Sequence, residues 1–398
     1  MAEPPRILLY AELLSNIRQV SVGCSLPSPC SASTEASVST DGRRLTIRHQ
    51  GEDCTIQLPK EVAVTQTLPI QKQSSKSLSW RLPISPISSK ETVSSHLDSQ
   101  IVPWSAFDLQ PASAVKCRNC QTIVVDDGKL KVWKDLPSEN WAEMMEFWHC
   151  HKPDDHDHDH GHSGNEEHLA GRGYGANSRL SGQAGTGFVD LTSFLFFEED
   201  CTNLKTTTTG ASTTVGVPGS VKQGTPASCA NCHTEIGVLH EETASVTLYK
   251  WQLAISSPAA DPQAQPSLSI CVAAMLASTL SRSGCSKSVI LPLGSSYASS
   301  PDRLLLIWLF NGDITFTSSA LDSERSVGGV KVLYQYVTKE EAERMSESLV
   351  SNVQDVSLPG MAIDDLKQLL GRSQGWLPEG DRRFRDWTVG LLEKWNGR

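Results

Sequence analysis

Four cysteines are arranged in two pairs whose spacing suits metal binding. The pairs are Cys117-Arg-Asn-Cys120 and Cys229-Ala-Asn-Cys232, and both follow the pattern C-x-N-C-x-T. A gap of two residues lets both thiolates of one turn reach the same ion, and two such turns supply the four ligands of a tetrahedral zinc site. We therefore predict one structural zinc, bound by the four cysteines. The repeated pattern also predicts that the two turns have similar geometry on neighbouring strands.

A predicted helix lies between the two cysteine pairs and ends on three more side chains that bind metals. The segment LPSENWAEMMEFWHCHKP, residues 136 to 153, starts with a proline and a serine that suit a helix N-terminus. Four apolar residues follow at helical spacing: Trp141, Met144, Met145 and Trp148. The helix is expected to end at His149-Cys150-His151, because Pro153 forbids its continuation.

These residues leave two ligand sets open. In the alternative set, Cys117 and Cys120 share an ion with Cys150 and either His149 or His151, and the second pair holds another ion or none. The shared C-x-N-C-x-T pattern favours the four-cysteine set, which would leave Cys150 free.

A free Cys150 has three conceivable roles. As a nucleophile it would gain from an adjacent imidazolium, but the carbonyl groups at a helix C-terminus oppose a thiolate there. As a ligand within the chain it competes with the better-matched cysteine pairs. As a ligand offered outward it could reach the metal centre of another protein, since thiolate is a strong zinc ligand.

Five short segments, taken in order, resemble one known family. They are CRNC (117 to 120), LPSENW (136 to 141), WHCHKP (148 to 153), CANC (229 to 232) and KVLYQ (331 to 335). This combination is similar to the HECT-like ubiquitin-conjugating-enzyme-binding family. The resemblance implies that the chain binds a ubiquitin-conjugating enzyme and acts as a ubiquitin ligase.

The chain departs from the HECT mechanism in one respect. That mechanism needs a cysteine near the C-terminus to carry ubiquitin as a thioester, yet the last cysteine is Cys285, followed by 113 residues without a thiol (398 minus 285). Cys271 lies on a predicted apolar helix, so Cys285, in a Ser/Gly loop, and Cys150 are the remaining candidates for a nucleophile. Either the protein assists transfer without a thioester of its own, or it has no ligase activity.

The resemblance also implies a non-catalytic function. The family is associated with the metallo-β-lactamase-type endonuclease of the pre-mRNA cleavage and polyadenylation factor. By that association Cys150 would coordinate a zinc ion of the nuclease, and Trp141, Trp148, His149 and His151 would pack beside it. The protein would then inhibit or chaperone the nuclease. A zinc-stabilised scaffold with another partner is the third hypothesis.

The composition limits the classes of partner and compartment. A formal net charge of -10 argues against nucleic acid as a direct partner, because phosphate contacts need a basic surface. No run of about 18 apolar residues is present to span a membrane, and the start lacks the pattern of a secretory signal. An odd number of cysteines, eleven, suits a reducing compartment. We therefore predict a cytoplasmic and nuclear protein.

Apolar periodicity predicts an α+β protein, predominantly antiparallel β with a few peripheral helices, whose two halves are joined by the structural zinc. The expected regions are an N-terminal β domain (1–110), the cysteine turn and helix (111–153), a disordered His/Gly-rich insertion (154–187) and a C-terminal α+β domain (188–398) with a disordered loop at 202–228. Within the last region we predict helices at 267–283, 339–349, 363–370 and 384–395, and a hairpin that turns at Asn311-Gly312.

Overall fold

The computed structural model describes residues 6–63, 67–70, 75–86, 102–111, 113–136, 181–206, 224–256, 265–321, 325–348 and 352–396. Across these ranges the chain is mostly antiparallel β with three α-helices, which confirms the predicted class of fold. None of these three helices combines the length and apolar character needed to cross a membrane.

The strands fall into three successive groups. The first seven are β1 (Leu8–Leu14), β2 (Gln19–Ser25), β3 (Glu35–Val38), β4 (Arg44–His49), β5 (Glu52–Gln57), β6 (Thr67–Leu68) and β7 (Ser77–Pro83). The next ten are β8 (Ala114–Cys117), β9 (Ile123–Val125), β10 (Val132–Asp135), β11 (Thr186–Val189), β12 (Ser193–Phe197), β13 (Leu204–Thr206), β14 (Thr225–Cys229), β15 (Glu235–His240), β16 (Ser245–Tyr249) and β17 (Leu253–Ser256). The last six are β18 (Lys287–Pro292), β19 (Arg303–Ser318), β20 (Val327–Thr338), β21 (Val353–Leu358), β22 (Arg383–Phe384) and β23 (Trp387–Glu393). The helices are α1 (Leu268–Ser283), α2 (Lys339–Glu347) and α3 (Gly360–Ser373).

The chain divides into two compact units. One unit combines Met1–Ile101 with Leu268–Gly397, and the other is formed by Val102–Ser267. This grouping differs from the division at residue 110 that we expected from the sequence. The reason is a long-range pairing, in which Tyr10 of β1 lies opposite Ser318 of β19.

The two-segment unit is built around a nine-stranded sheet. Its order is β22-β23-β20-β19-β1-β2-β7, and β18 also pairs with β19 and lies parallel to β21. β19 is long enough to pair with β18 through one part of its length and with β1 through another. A second sheet, β5-β4-β3-β6, shares a buried core with β1, β2 and β7. The strict alternation of buried and exposed residues in β7 confirms the period-two pattern.

The predicted hairpin at Asn311-Gly312 is wrong. β19 runs without reversal from Arg303 to Ser318, and β20 pairs with it from Arg303↔Thr338 to Phe316↔Val327. The register shifts on both sides of Asn311, so the Asn-Gly pair forms an irregularity within the strand. The Asn311 side chain accepts a hydrogen bond from the backbone N–H of Asp313 (3.1 Å), which supports this local bend.

The predicted helix at 384–395 is also wrong. This segment forms the β22–β23 hairpin, with Phe384 opposite Trp387 and Arg385 in the left-handed region at φ 55°. Four consecutive residues of β23 are buried, Val389 to Leu392, because β23 pairs with β20 and both faces of the strand are covered. A short apolar run of this kind has no period that separates a strand from a helix. The predicted helices at 267–283, 339–349 and 363–370 are confirmed as α1, α2 and α3.

The central unit, Val102–Ser267, contains a seven-stranded and a three-stranded sheet. The first has the order β10-β11-β12-β16-β15-β14-β13, and the second has the order β17-β8-β9. Trp104, Trp133, Phe194 and Phe196 pack their rings in its core. Lys250 is 0% exposed, and its ammonium group donates a hydrogen bond to the carbonyl oxygen of Pro103 (2.6 Å), which satisfies a buried charge.

The two predicted disordered insertions are shorter than expected within the described ranges. β11 begins at Thr186, inside the first predicted insertion. β13 (Leu204–Thr206) lies inside the second, as does all of β14 (Thr225–Cys229) except its last residue. Residues 137–180 and 207–223 lie outside the described residues, and with them the rest of both insertions and the predicted helix at 137–153.

Candidate metal centre

Two short hairpins of the central unit carry the paired cysteines. In the first, β8 ends at Cys117 and β9 begins at Ile123. The backbone N–H of Cys117 donates to the carbonyl oxygen of Thr122 (2.8 Å), and the N–H of Gln121 donates to the carbonyl oxygen of Cys117 (2.8 Å). Gln121 adopts φ 61°, the left-handed conformation that lets the turn close.

The second hairpin repeats this geometry. β14 ends at Cys229 and β15 begins at Glu235. The N–H of Cys229 donates to the carbonyl oxygen of Thr234 (2.9 Å), the N–H of His233 donates to that of Cys229 (2.9 Å), and His233 has φ 58°. The common geometry expected from the C-x-N-C-x-T repeat is therefore present.

The two hairpins bring the four sulfur atoms together. The Sγ atoms of Cys117 and Cys232 lie 3.6 Å apart, and those of Cys120 and Cys229 lie 3.5 Å apart. All four Sγ atoms lie within 4.8 Å of one another. A tetrahedral zinc ion with sulfur ligands at ~2.3 Å separates those ligands by ~3.8 Å, so the cluster has the dimensions of such a site. These separations exceed the ~2.05 Å of a disulfide bond.

The cluster is buried on one side and accessible on the other. Cys117 and Cys229, which end the two leading strands, are buried, whereas Cys120 and Cys232 are half-buried. Burial raises the pKa of Cys117 to about 12, against the backbone N–H groups of Cys120 and Asn119 that favour its thiolate. A bound cation would stabilise the negative charge of the buried Cys117 thiolate.

Two threonines stabilise the thiolates of the half-buried cysteines. The hydroxyl oxygen of Thr122 lies 3.2 Å from Sγ of Cys120, and that of Thr234 lies 3.3 Å from Sγ of Cys232. The side chain and then the backbone of Thr234 lower the pKa of Cys232 to about 5. Thr122 lowers the pKa of Cys120 in the same way. The cluster therefore favours negative charge at its accessible side.

A hydrogen bond links the two turns directly. Nδ2 of Asn119 in the first turn donates to Oγ1 of Thr234 in the second (3.1 Å). Thr234 therefore contacts both a potential ligand of its own turn and the opposite turn. Asn119 and Thr234 belong to the shared positions of the C-x-N-C-x-T repeat, but the repeat alone did not indicate that these two residues contact each other.

Neighbouring segments support each turn from outside by equivalent bonds. The residue after the first cysteine of each pair donates its backbone N–H to a neighbouring segment, from Arg118 to Gln252 (2.9 Å) and from Ala230 to Asn203 (2.8 Å). Asn203 also donates a hydrogen bond from its side-chain amide to the carbonyl oxygen of Ile123 (2.9 Å). Asn203 therefore contacts both the second turn and the first hairpin.

The arrangement suits a structural metal ion. Four thiolates fill a tetrahedral coordination sphere and leave no open position for water or substrate. No other group of three or more His, Cys, Asp or Glu side chains in the described ranges converges closely enough to hold a metal. All four cysteines belong to Val102–Ser267, so the site joins two hairpins of one unit, whereas we expected it to join the two halves of the protein.

The other predicted site residues are not brought to this cluster. Trp141, Trp148, His149, Cys150 and His151 lie outside the described residues, as does the alternative ligand set that uses them. The four-cysteine cluster is complete without any of these residues.

The thiols considered as nucleophiles in the two-segment unit lie apart from any cluster. Cys271 is buried on α1. Cys285 is half-buried after α1, and its described hydrogen bonds, from the backbone N–H and from Sγ, are both to Ser283.

Comparison with known proteins gives the family. Uncharacterized protein C1734.10c of Schizosaccharomyces pombe is 25% identical over 347 residues, which cover 80% of this chain and 88% of the relative. Uncharacterized protein YJR141W of Saccharomyces cerevisiae is 35% identical over 85 residues, or 21% of this chain and 24% of the relative. No solved structure matches the chain. The family model described as HECT-like ubiquitin-conjugating enzyme (E2)-binding matches residues 12–389. The chain therefore belongs to the HECT-like ubiquitin-conjugating enzyme (E2)-binding family, as its five short segments predicted.

Proposed function

We propose that this chain is an E3 ubiquitin-protein ligase-like protein that binds a ubiquitin-conjugating enzyme and promotes ubiquitin transfer. The observation that carries the proposal is the family match over residues 12–389, nearly the whole chain. The family description supplies the binding partner, and the promotion of transfer is our extension of it.

The distribution of thiols supports transfer without a thioester on this chain. No cysteine follows Cys285 in the sequence, and the described hydrogen bonds of Cys285 involve no histidine or carboxylate that would activate it. In the proposed reaction a substrate amine attacks the thioester carbonyl on the conjugating enzyme, and the thiol of that enzyme is the leaving group. The chain holds the charged enzyme and does not become acylated.

We further propose that the four-cysteine cluster binds one zinc ion with a structural role. A closed set of four thiolates excludes water and substrate from the ion, so the metal would stabilise the two hairpins and take no part in transfer. Because thiolate ligands must remain reduced, we propose a cytoplasmic and nuclear location.

A discharge assay tests the ligase proposal. Purified full-length protein is mixed with a panel of ubiquitin-charged conjugating enzymes, and loss of the thioester is followed on gels with and without reducing agent. We expect faster discharge of at least one enzyme and no reductant-sensitive adduct on this chain. An adduct that disappears in Cys285→Ser or Cys150→Ser would replace the proposal with a thioester mechanism and identify the nucleophile. Unchanged discharge with every enzyme would refute ligase activity.

A second candidate function is inhibition or chaperoning of the polyadenylation endonuclease named above. One observation favours it: the four-cysteine cluster is complete without Cys150, so that thiol is not required by the metal centre. We propose that Cys150 then binds a zinc ion of the nuclease, with His149 and His151 beside it.

Single substitutions separate this candidate from the first. Cys150→Ala should weaken binding to the purified nuclease and relieve its inhibition, whereas Cys285→Ala should change neither property. If Cys150→Ala bound and inhibited the nuclease as well as the unaltered protein, the candidate would be rejected.

A further inference from the structure

A cluster of four aromatic side chains stands partly exposed on the nine-stranded sheet. We call Trp308, Phe310, Phe384 and Trp387 the aromatic patch. Phe310 is 48% exposed and Phe384 is 41% exposed, while the two tryptophans are half-buried. Adjoining exposed apolar groups form a candidate interaction site, because large contiguous apolar patches are uncommon on monomers.

The four rings hold one another in place. Trp308 meets Phe310 and Trp387 edge to face, with centroids 5.7 Å apart in both pairs. Phe384 lies 5.8 Å from Phe310, centroid to centroid. Phe384 belongs to the two-residue edge strand β22, and its cross-strand neighbour is Trp387. The patch is therefore formed by β19 and the β22–β23 hairpin, whose backbone pairing fixes it before any partner binds.

Cations surround the patch. Nζ of Lys287 lies 5.3 Å from the ring centroid of Trp308, and the guanidinium of Arg385 lies 5.5 Å from that of Phe384. Neither cation forms a salt bridge within the described residues, and Arg383 in the same hairpin forms none there either. Asp386 is the carboxylate of the same hairpin, so the three cations leave the surface locally basic in a chain of net charge -10.

An open groove continues this surface at Lys287. It has a volume of about 650 Å³, and its other lining residues include Val337, Arg344, Met345 and one carboxylate, Glu341. Apolar contacts and a further cation therefore extend from the patch. The chemistry that complements the patch and the cations beside it is an apolar side chain flanked by carboxylates.

We propose that the aromatic patch is the surface on which this chain binds the ubiquitin-conjugating enzyme. An apolar side chain of the enzyme would pack on Phe310 and Phe384, and neighbouring carboxylates would pair with Lys287 and Arg385. The inference rests on the proposed function, which supplies the class of partner. Aromatic anchors of this kind provide most of the binding energy in protein interfaces.

The test measures binding of full-length protein to a panel of purified, uncharged conjugating enzymes by calorimetry in 50 and 300 mM salt. Phe310→Glu and Phe384→Glu should each weaken binding at least tenfold. Met361→Glu, a substitution at a residue 53% exposed on α3, is the matched control and should bind as the unaltered protein does. Lys287→Glu should weaken binding more at 50 mM than at 300 mM salt, because salt screens an exposed charge pair.

A second measurement on the unaltered protein does not depend on how the variants fold. Addition of the enzyme should slow backbone hydrogen exchange over residues 383–388 and leave residues 360–373 unchanged. If the enzyme bound but the two phenylalanine variants and the exchange of 383–388 were unaffected, the patch would be excluded and the proposed function would stand. Equal loss of binding in Met361→Glu would also exclude the patch. Binding of no conjugating enzyme by the unaltered protein would overturn both.

Discussion

Cys120 and Cys229 are 109 positions apart in the chain, yet their sulfur atoms lie 3.5 Å apart. Each belongs to a turn whose other cysteine lies within 4.8 Å of both, so four thiols share one small volume. Thiolates so close together repel one another unless a cation lies between them. The proximity of the four sulfur atoms therefore makes the metal content of the purified protein the first property to measure.

We expect the purified protein to contain one zinc ion per chain, and Cys229→Ser to lose it. Loss of one ligand from a four-thiolate site removes metal-binding free energy that also stabilises the folded chain, so the melting temperature should fall. Elemental mass spectrometry and a thermal melt measure the two effects. Cys285→Ser, which changes a half-buried thiol outside the cluster, should keep both the metal and the melting temperature. Full zinc content in Cys229→Ser would contradict the assignment.

Thr234→Val should lower zinc affinity about 10–100-fold, the usual effect of removing a group that supports a metal ligand. The hydroxyl of Thr234 stabilises the thiolate of Cys232 and also accepts the hydrogen bond from Asn119, and valine keeps its shape without either bond. Competition with a chromogenic chelator measures the change. Thr55→Val, at an exposed threonine on β5, is the control. An unchanged affinity in Thr234→Val would show that the hydroxyl does not support the ligand.

Gly237→Ala should reduce the free energy of unfolding by about 1–3 kcal/mol or more, because the added methyl group overpacks a sheet. A Cβ at Gly237 would lie 2.1 Å from the carbonyl oxygen of Thr247 and 2.7 Å from the Leu248 side chain. Denaturant titration checks this value. At Gly375 a Cβ would meet nothing within 4 Å, so Gly375→Ala should cost much less. Equal losses in the two variants would contradict the packing argument.

Asp381→Asn should stabilise the protein at pH 7 and have less effect near pH 4. Asp381 as a whole is exposed, but partial loss of water around its carboxylate raises its pKa above the ordinary value, although Lys331 opposes the shift. A carboxyl with a raised pKa in the folded state contributes stability below its unfolded pKa and loses that contribution as the pH rises through the folded value. The asparagine variant avoids this loss, and melting temperatures across the pH range report it.

Asp41→Asn provides a control of opposite sign. The hydroxyl of Ser39 lowers the pKa of Asp41, so its folded carboxylate is favoured and its stabilising contribution is lost as the pH falls. Asp41→Asn should therefore destabilise the protein at pH 7. A stabilising effect that did not change with pH in Asp381→Asn would rule out titration as its cause.

The four-cysteine cluster was predictable from the sequence because each half of it is local. The two-residue spacing of each cysteine pair fixes a turn, and the Asn within each pair and the Thr after it repeat, which indicates that the two turns are equivalent. The contact between the turns was not visible, since Asn119 and Thr234 are 115 positions apart. Their contact depends on the flanking strands.

The aromatic patch could not be predicted for a related reason. Trp387 was placed on a helix because it falls on one helical side together with Leu391, Leu392 and Trp395. Trp308 was placed before a turn because Asn311-Gly312 is the usual signal for one. In the structure β20 pairs with β19 beyond that signal, and with β23 on its other side. Pairing along the whole of β20 thus outweighed the local preferences of both segments.

The pairing of β1 with β19 also constrains how the newly made chain can fold. Tyr10 and Ser318 are opposite each other although they are 308 positions apart (318 minus 10). At about 5–20 residues per second, the ribosome makes Ser318 about 15–60 s after Tyr10. The central unit is continuous in sequence and is made within that interval, so it is able to fold while β1 still lacks this neighbour. During biosynthesis β1 therefore has an unpaired edge, open to pairing with another strand, until β19 has been made.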